Sequence, residues 1–300
     1  MARRSIRLRV GGLVLAALSE EATPVLDPPR GFAPFLVSRG GDIRLRLTRE
    51  SPPEPRGDLL FESGSVWRVH RHGRRLLYSF RVPHLRPPVY KAVLVDPGLR
   101  EGRLFFPPVA GGPSYALDYP LDELLFQHRF ARDGAVEVHA CGVVWRGRTL
   151  LFCGQSGAGK STTARLWRRH ARGARLLSDD RIVLEPGRRA IRAWGTPWHG
   201  DGGFATPASA PLGAIFFLRH GRSTRVRPMA PAEAAARLFA RGFPPPWDAR
   251  ALARVLETCA DVAARVPAYD LLFRPDRSAV EAVLAAGATG ARAARSPTRR

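Results

Sequence analysis

Residues 136–166, "VEVHACGVVWRGRTLLFCGQSGAGKSTTARL", set the tightest limit on the fold. Two apolar runs flank the short polar stretch "RGR", which reads as two strands joined by a tight turn. With Arg146 and Gly147 as a two-residue turn, Trp145 faces Arg148, Cys141 faces Phe152 and His139 faces Gly154. A three-residue turn shifts the last partner to Gln155. Either register sets His139 beside the start of the Gly-rich segment "GQSGAGKST". The strand entering that segment is therefore antiparallel to its sequence neighbour. Common phosphate-loop ATPases instead build this strand into parallel βαβ units. The expectation is a different α/β (α+β) architecture, with a mixed, largely antiparallel sheet carrying the loop.

The loop fits Gly-x-x-x-x-Gly-Lys-Ser, with an apolar strand before it and a helix predicted from Lys160 or Ser161 to about His170. Gly154, Gly157 and Gly159, with the small Ser156 and Ala158, let successive backbone N–H groups turn inward as an anion nest. The helix beginning at Lys160, Ser161 and Thr162 would aim its partial positive charge at the same anion. Lys160 supplies a compact point charge for outer phosphates, and Ser161 a hydroxyl for Mg²⁺. Of the 48 basic residues only Lys91 and Lys160 are lysines. The bland alternative is a Gly-rich turn with an incidental lysine.

Downstream, "RLLSDD" ends an apolar strand with Asp179 and Asp180. Mg²⁺ takes one or two carboxylates plus substrate oxygens, and an acceptor hydroxyl needs a carboxylate to orient it or take its proton. On a regular strand the two side chains point to opposite faces, so both serve one site only if the chain bends there. A salt-bridged turn with Arg181 is the alternative. The segment "WGTPWHGDGG" offers His199 and Asp201 amid glycines, either as a substrate loop or as a rigid turn with Trp194 and Trp198 in the core. Arg219 and Arg222 follow the buried strand "AIFFL" and are candidates for stabilising a transferring phosphate.

Residues 1–120 hold short apolar runs broken by Pro and Gly and predict a β-rich N-terminal domain. Within it, Arg68 to Arg75, "RVHRHGRR", reads as a charged hairpin loop, with a phosphate-binding patch as the lesser alternative. A helix from about Leu121, with Leu124, Leu125 and His128 on one face, opens a second domain over 121–285; residues 286–300 predict a disordered basic tail. The N-terminus imitates a secretion signal, but Ile6, Leu8 and Val10 alternate with Arg7 and Arg9 as in a half-buried strand. The three cysteines show no metal spacing and read as buried thiols of a reducing compartment. No apolar run approaches the ~20 residues that cross a bilayer. The formal charge of +22 admits acidic partners, yet the arginines are scattered, which disfavours dedicated nucleic-acid binding.

The hairpin, loop and "LLSDDRIVLE" together resemble the catalytic domain of HPr kinase/phosphorylase, a family related in fold to ATP-dependent phosphoenolpyruvate carboxykinase. The similarity is greatest to the HPr-kinase-like proteins that accompany peptide-modification gene clusters. It covers roughly residues 120–285 and is specific over about 136–185. The resemblance implies ATP and Mg²⁺, with His139 ahead of the loop, Asp179 as the base that activates a serine hydroxyl, and Ser161 and Asp180 as Mg²⁺ ligands. The chain departs from the family in lacking its Glu-Arg-Gly signature after the Asp pair and its later Arg-Asn motif. Thr162 stands where a Glu is usual. The expected activity is a cytoplasmic kinase acting on a Ser of a peptide or protein, with an acidic substrate favoured by the positive charge. A non-catalytic ATP sensor of the same fold and a small-molecule kinase stay open, as does oligomerisation.

Overall fold

The alternation at the N-terminus is realised as strand. The computed structural model describes residues 3–64, 66–82, 85 and 88–293, and its contacts divide the chain into two compact units: residues 1–132 with 245–250, and residues 133–244 with 251–300.

The first unit is a mixed eight-stranded sheet. Its strands are β1 (Arg3–Val10), β2 (Leu13–Thr23), β3 (Ile43–Thr48), β4 (Leu59–Glu62), β5 (Trp67–His72), β6 (Arg75–Arg81), β7 (Val89–Val95) and β8 (Glu101–Phe105). They lie in the order β1-β2-β3-β8-β7-β6-β5-β4. Period-two patterning decides which face is covered: Ile43, Leu45 and Leu47 of β3 are buried, and Arg44 and Arg46 are exposed. The segment Arg68 to Arg75, expected as a loop, is mostly strand: His72 pairs with Arg75, which leaves only Gly73 and Arg74 to turn. Val69, buried in the middle of β5, is what pulls this charged run into the sheet.

Helix α1 (Leu121–Asp133) belongs to the first unit, so the division falls about a dozen residues later than the expected boundary at 120. The physical reason lies at His128. It is fully buried, with Nδ1 2.5 Å from the Tyr78 hydroxyl of β6 and Nε2 2.9 Å from Asp248. Lys91 is also fully buried; its ammonium is paired with Asp118 and lies over the Phe80 ring at 4.9 Å.

The second unit holds β9 (Val136–Trp145), β10 (Arg148–Cys153), α2 (Lys160–His170), β11 (Arg175–Ser178), β12 (Arg181–Pro186), β13 (Ile191–Gly195), β14 (Ser209–His220), β15 (Arg225–Met229), α3 (Pro231–Phe239), α4 (Ala249–Arg265, all but its first two residues), β16 (Ala268–Phe273) and α5 (Arg277–Ala293). Its sheet is mixed and largely antiparallel, in the order β10-β9-β12-β13-β14-β16-β15. The hairpin β9–β10 has the two-residue register, with Trp145 opposite Arg148 and Cys141 opposite Phe152. Arg146 and Gly147 both have positive φ, 48° and 77°, the combination that lets a tight turn follow the strand twist. β10 also pairs in parallel with β14, so strands β10, β9, β12, β13 and β14 close on themselves. Phe152, Phe216 and Tyr269 stack across β10, β14 and β16 at 5.4 and 5.1 Å. Trp167 of α2 is buried against Phe152, with 5.9 Å between ring centres, which seats the helix on the sheet. Cys141, Cys153 and Cys259 are buried free thiols. α5 continues to Ala293, past the expected start of the tail at 286, and residues 294–300 lie outside the described residues. Among the described residues, no helix is long and apolar enough to cross a membrane.

Candidate functional site

The loop between β10 and α2 forms a bare helix N-terminus. Gly159 is the residue before the first turn, at φ 98° and ψ 21°, and among the described residues no side-chain hydrogen bond caps the start of α2. The first amides of a helix have no intrahelical partner, so those of α2 stay available to an anion. Gly157 has φ 78° and open space where a Cβ would stand, at the exposed crest beside Ser156. Gly154 is buried; a Cβ there would come within 2.6 Å of the Cβ of Ala158. Gly159 faces Phe273 of β16 just as tightly, at 2.6 Å. The glycines thus answer two demands, positive φ and close packing.

Lys160 is buried, and its ammonium bonds the carbonyls of Gly154 at 3.2 Å and Gln155 at 3.1 Å. It stands 3.9 Å from Asp180. Burial pulls its pKa below the usual lysine value, with Asp180 opposing. Thr162, next along the helix, is half-buried.

The acidic pair lies in a bend between β11 and β12, so the two carboxylates part yet stay at one site. Asp179 is fully buried. Its oxygens accept from Ser161 Oγ at 2.7 Å and from the amides of Gly200, Gly202 and Phe204 at 3.1, 2.8 and 3.3 Å. Asp180 keeps 23% of its side chain exposed. It accepts from His139 Nε2 at 2.8 Å and from the Arg181 guanidinium. Burial pushes the Asp180 carboxyl up, but the His139 hydrogen bond and the charges of Arg181, His139 and Lys160 outweigh it and hold the pKa below 3.8. Arg181 also reaches Glu137 at 3.4 Å and covers the Phe243 ring at 4.3 Å. The salt-bridged turn considered from sequence is therefore present, and the same carboxylate faces the loop.

A cavity of about 360 Å³ brings His139, Lys160, Ser161, Thr162, Asp180 and Asp201 together. That is within the range of ligand clefts. Asp179 stands behind it, not on its lining. Among the described residues, no group of three or more His, Cys, Asp or Glu side chains is placed to hold a metal unaided. The oxygen donors here suit a hard cation that completes its shell with substrate oxygens and water.

The Trp194 to Gly203 segment engages the site through its main chain. His199 is exposed and contacts the neighbouring Gly200 carbonyl at 3.0 Å; Asp201 reaches the cavity rim. Arg219 pairs with Asp270 at 3.2 Å, and neither Arg219 nor Arg222 lines the cavity. Two residues were not singled out from sequence. His220 Nε2 lies 2.7 Å from the Gly157 carbonyl, and Arg165 lines the cavity. His220 ends β14, whose parallel pairing with β10 has no local signal in the sequence.

Compared with protein-family models and with curated proteins, the chain matches none.

Proposed function

We propose that the second unit is an ATP- and Mg²⁺-dependent kinase, built on the fold shared by HPr kinase and phosphoenolpyruvate carboxykinase, that transfers the γ-phosphate to a serine hydroxyl of a peptide or protein in the cytoplasm. The observation that carries this reading is the convergence of Lys160, Ser161, His139 and Asp180 on one cavity at an uncapped helix N-terminus. Lys160 and the amides of residues 156–162 hold the β- and γ-phosphates. Ser161, its hydroxyl fixed by Asp179, would hold the cation, which when bound neutralises charge on the transferring phosphate.

Burial and hydrogen bonding support a different division of labour from the one the resemblance implies. Asp179 is enclosed and already accepts four hydrogen bonds, so its role is to anchor Ser161 and the 200–204 loop. Asp180 faces the cavity and is the carboxylate that orients the acceptor hydroxyl and receives its proton. The hydroxyl oxygen bonds the γ-phosphorus as the bond to ADP breaks. His139 holds Asp180 in place.

The test is incubation of the purified chain with γ-labelled ATP, Mg²⁺ and serine-containing peptides. Label on serine, lost in Lys160→Met, is the expected result. Nucleotide binding without turnover would leave a sensor, and label on a metabolite in place of peptide would leave a small-molecule kinase.

A further inference from the structure

A second concave site lies within the first unit, at the edge of the sheet where β5 turns into β6. Its cavity, about 340 Å³, is lined by thirteen residues of which five are arginines: Arg71, Arg74, Arg75, Arg132 and Arg250. Arginine is about one residue in six or seven of the chain, so this concentration exceeds what composition supplies. The one carboxylate on the lining, Asp248, is engaged by His128 at 2.9 Å and Arg132 at 2.5 Å. Arg71 stands 3.7 Å from Asp58. Arg74, Arg75 and Arg250 are exposed and make no ion pair among the described residues. Three guanidinium groups held around a concavity without counter-ions create a field that favours an oxyanion, which they can grip in bidentate fashion.

Arg75 also lines a wider depression of about 740 Å³, with Arg44, Arg46, Arg100 and Arg103. Both acids there are occupied: Asp96 accepts the amides of Gly98, Arg100 and Glu101, and Glu101 bonds Arg44 at 2.6 Å. The cationic lining therefore runs on from one depression into the next, which suits an extended chain of anionic groups more than a single small anion.

We infer that this edge of the first unit binds an acidic peptide segment, with Asp or Glu carboxylates gripped by Arg74, Arg75 and Arg250. Nucleic acid fits less well. Sequence-tolerant single-strand binding uses aromatic faces on which bases stack. The lining aromatic, Trp247, has Phe61, Trp67, Tyr78 and His128 around it at 5.1, 5.4, 6.1 and 5.7 Å, so its ring is committed to the protein. The inference rests on the peptide-kinase reading only in naming the chemistry of its substrate.

The test is fluorescence polarisation of a short fluorescein-labelled Glu-rich peptide with the full chain, without nucleotide, at low salt. Binding is expected, absent for the Gln counterpart of the peptide and weakened about tenfold or more by Arg74→Glu with Arg75→Glu, and separately by Arg250→Glu. Arg188→Glu with Arg189→Glu, an equal charge change on an exposed turn of the second unit, should leave affinity within about twofold. Equal loss in that control, no loss in the first variants, or tighter binding of an oligothymidylate of matched charge would overturn the inference. A chain that binds the peptide but not ATP sinks the kinase reading alone; one that binds ATP but not the peptide sinks this inference alone.

Discussion

Asp179 and Asp180 are adjacent and chemically identical, yet one is sealed and the other is open. Replacing Asp179 by Asn keeps the size but exchanges an acceptor oxygen for a donor that would face either the Ser161 hydroxyl and the Gly202 amide, or the Gly200 and Phe204 amides. The expected cost is about 2–3 kcal/mol of stability, read in denaturant titration. Asp180→Asn should leave ATP binding in place and lower phosphate transfer by about 10²-fold or more. Normal transfer by Asp180→Asn would return the base to Asp179. The pH dependence has a definite sign. The folded pKa of Asp180 lies below 3.8, so its contribution to stability is complete above that value and disappears as pH falls through the depressed one. The difference in stability between wild type and Asp180→Asn should therefore be present at neutral pH and vanish in strong acid.

At the scale of elements, the site depends on a glycine loop folding over a carboxylate. A Cβ at Gly202 would come within 2.4 Å of Asp179 Oδ2 and 2.8 Å of the Phe204 ring, so Gly202→Ala must displace the loop and break its amide bonds to Asp179. The expected loss is about 2–4 kcal/mol. At Gly157, where a Cβ meets open space, alanine strains only the positive φ and should cost about 1 kcal/mol. Equal melting temperatures for the two variants would contradict this account. The same elements explain what could be read in advance. The β9–β10 hairpin to within one residue of register, the start of α2 at Lys160 or Ser161 and the need for a bend at Asp179 follow from turn chemistry, period and spacing, all local. In the Trp194 to Gly203 segment the side chains of His199 and Asp201 drew attention, but the contacts to Asp179 are made by main-chain amides, which no residue identity advertises. His220 was out of reach for a similar reason: its strand meets β10 from some sixty residues away.

At the scale of the whole molecule, the chain does not finish its first unit before starting its second. Residues 245–250, which follow α3, return to the first unit, and there Trp247 meets Phe61, Trp67 and Tyr78 while Asp248 satisfies buried His128. Nothing in the local pattern of "PPPWDAR" announces that destination, which is why a division of the sequence into consecutive domains misplaces it. The consequence is that residues 1–132 alone lack a side chain that an aromatic cluster is built around and the partner of an enclosed histidine. Trp247→Ala in the full chain should cost about 3 kcal/mol, because the neighbouring rings cannot close the space it leaves. A fragment of residues 1–132 should fall further, losing Asp248 as well and leaving His128 with an unmet polar atom. Circular dichroism melts of the two would check this. A fragment that unfolds cooperatively, at the temperature of the intact chain, would show that the returning segment is dispensable and that the first unit is a self-contained domain.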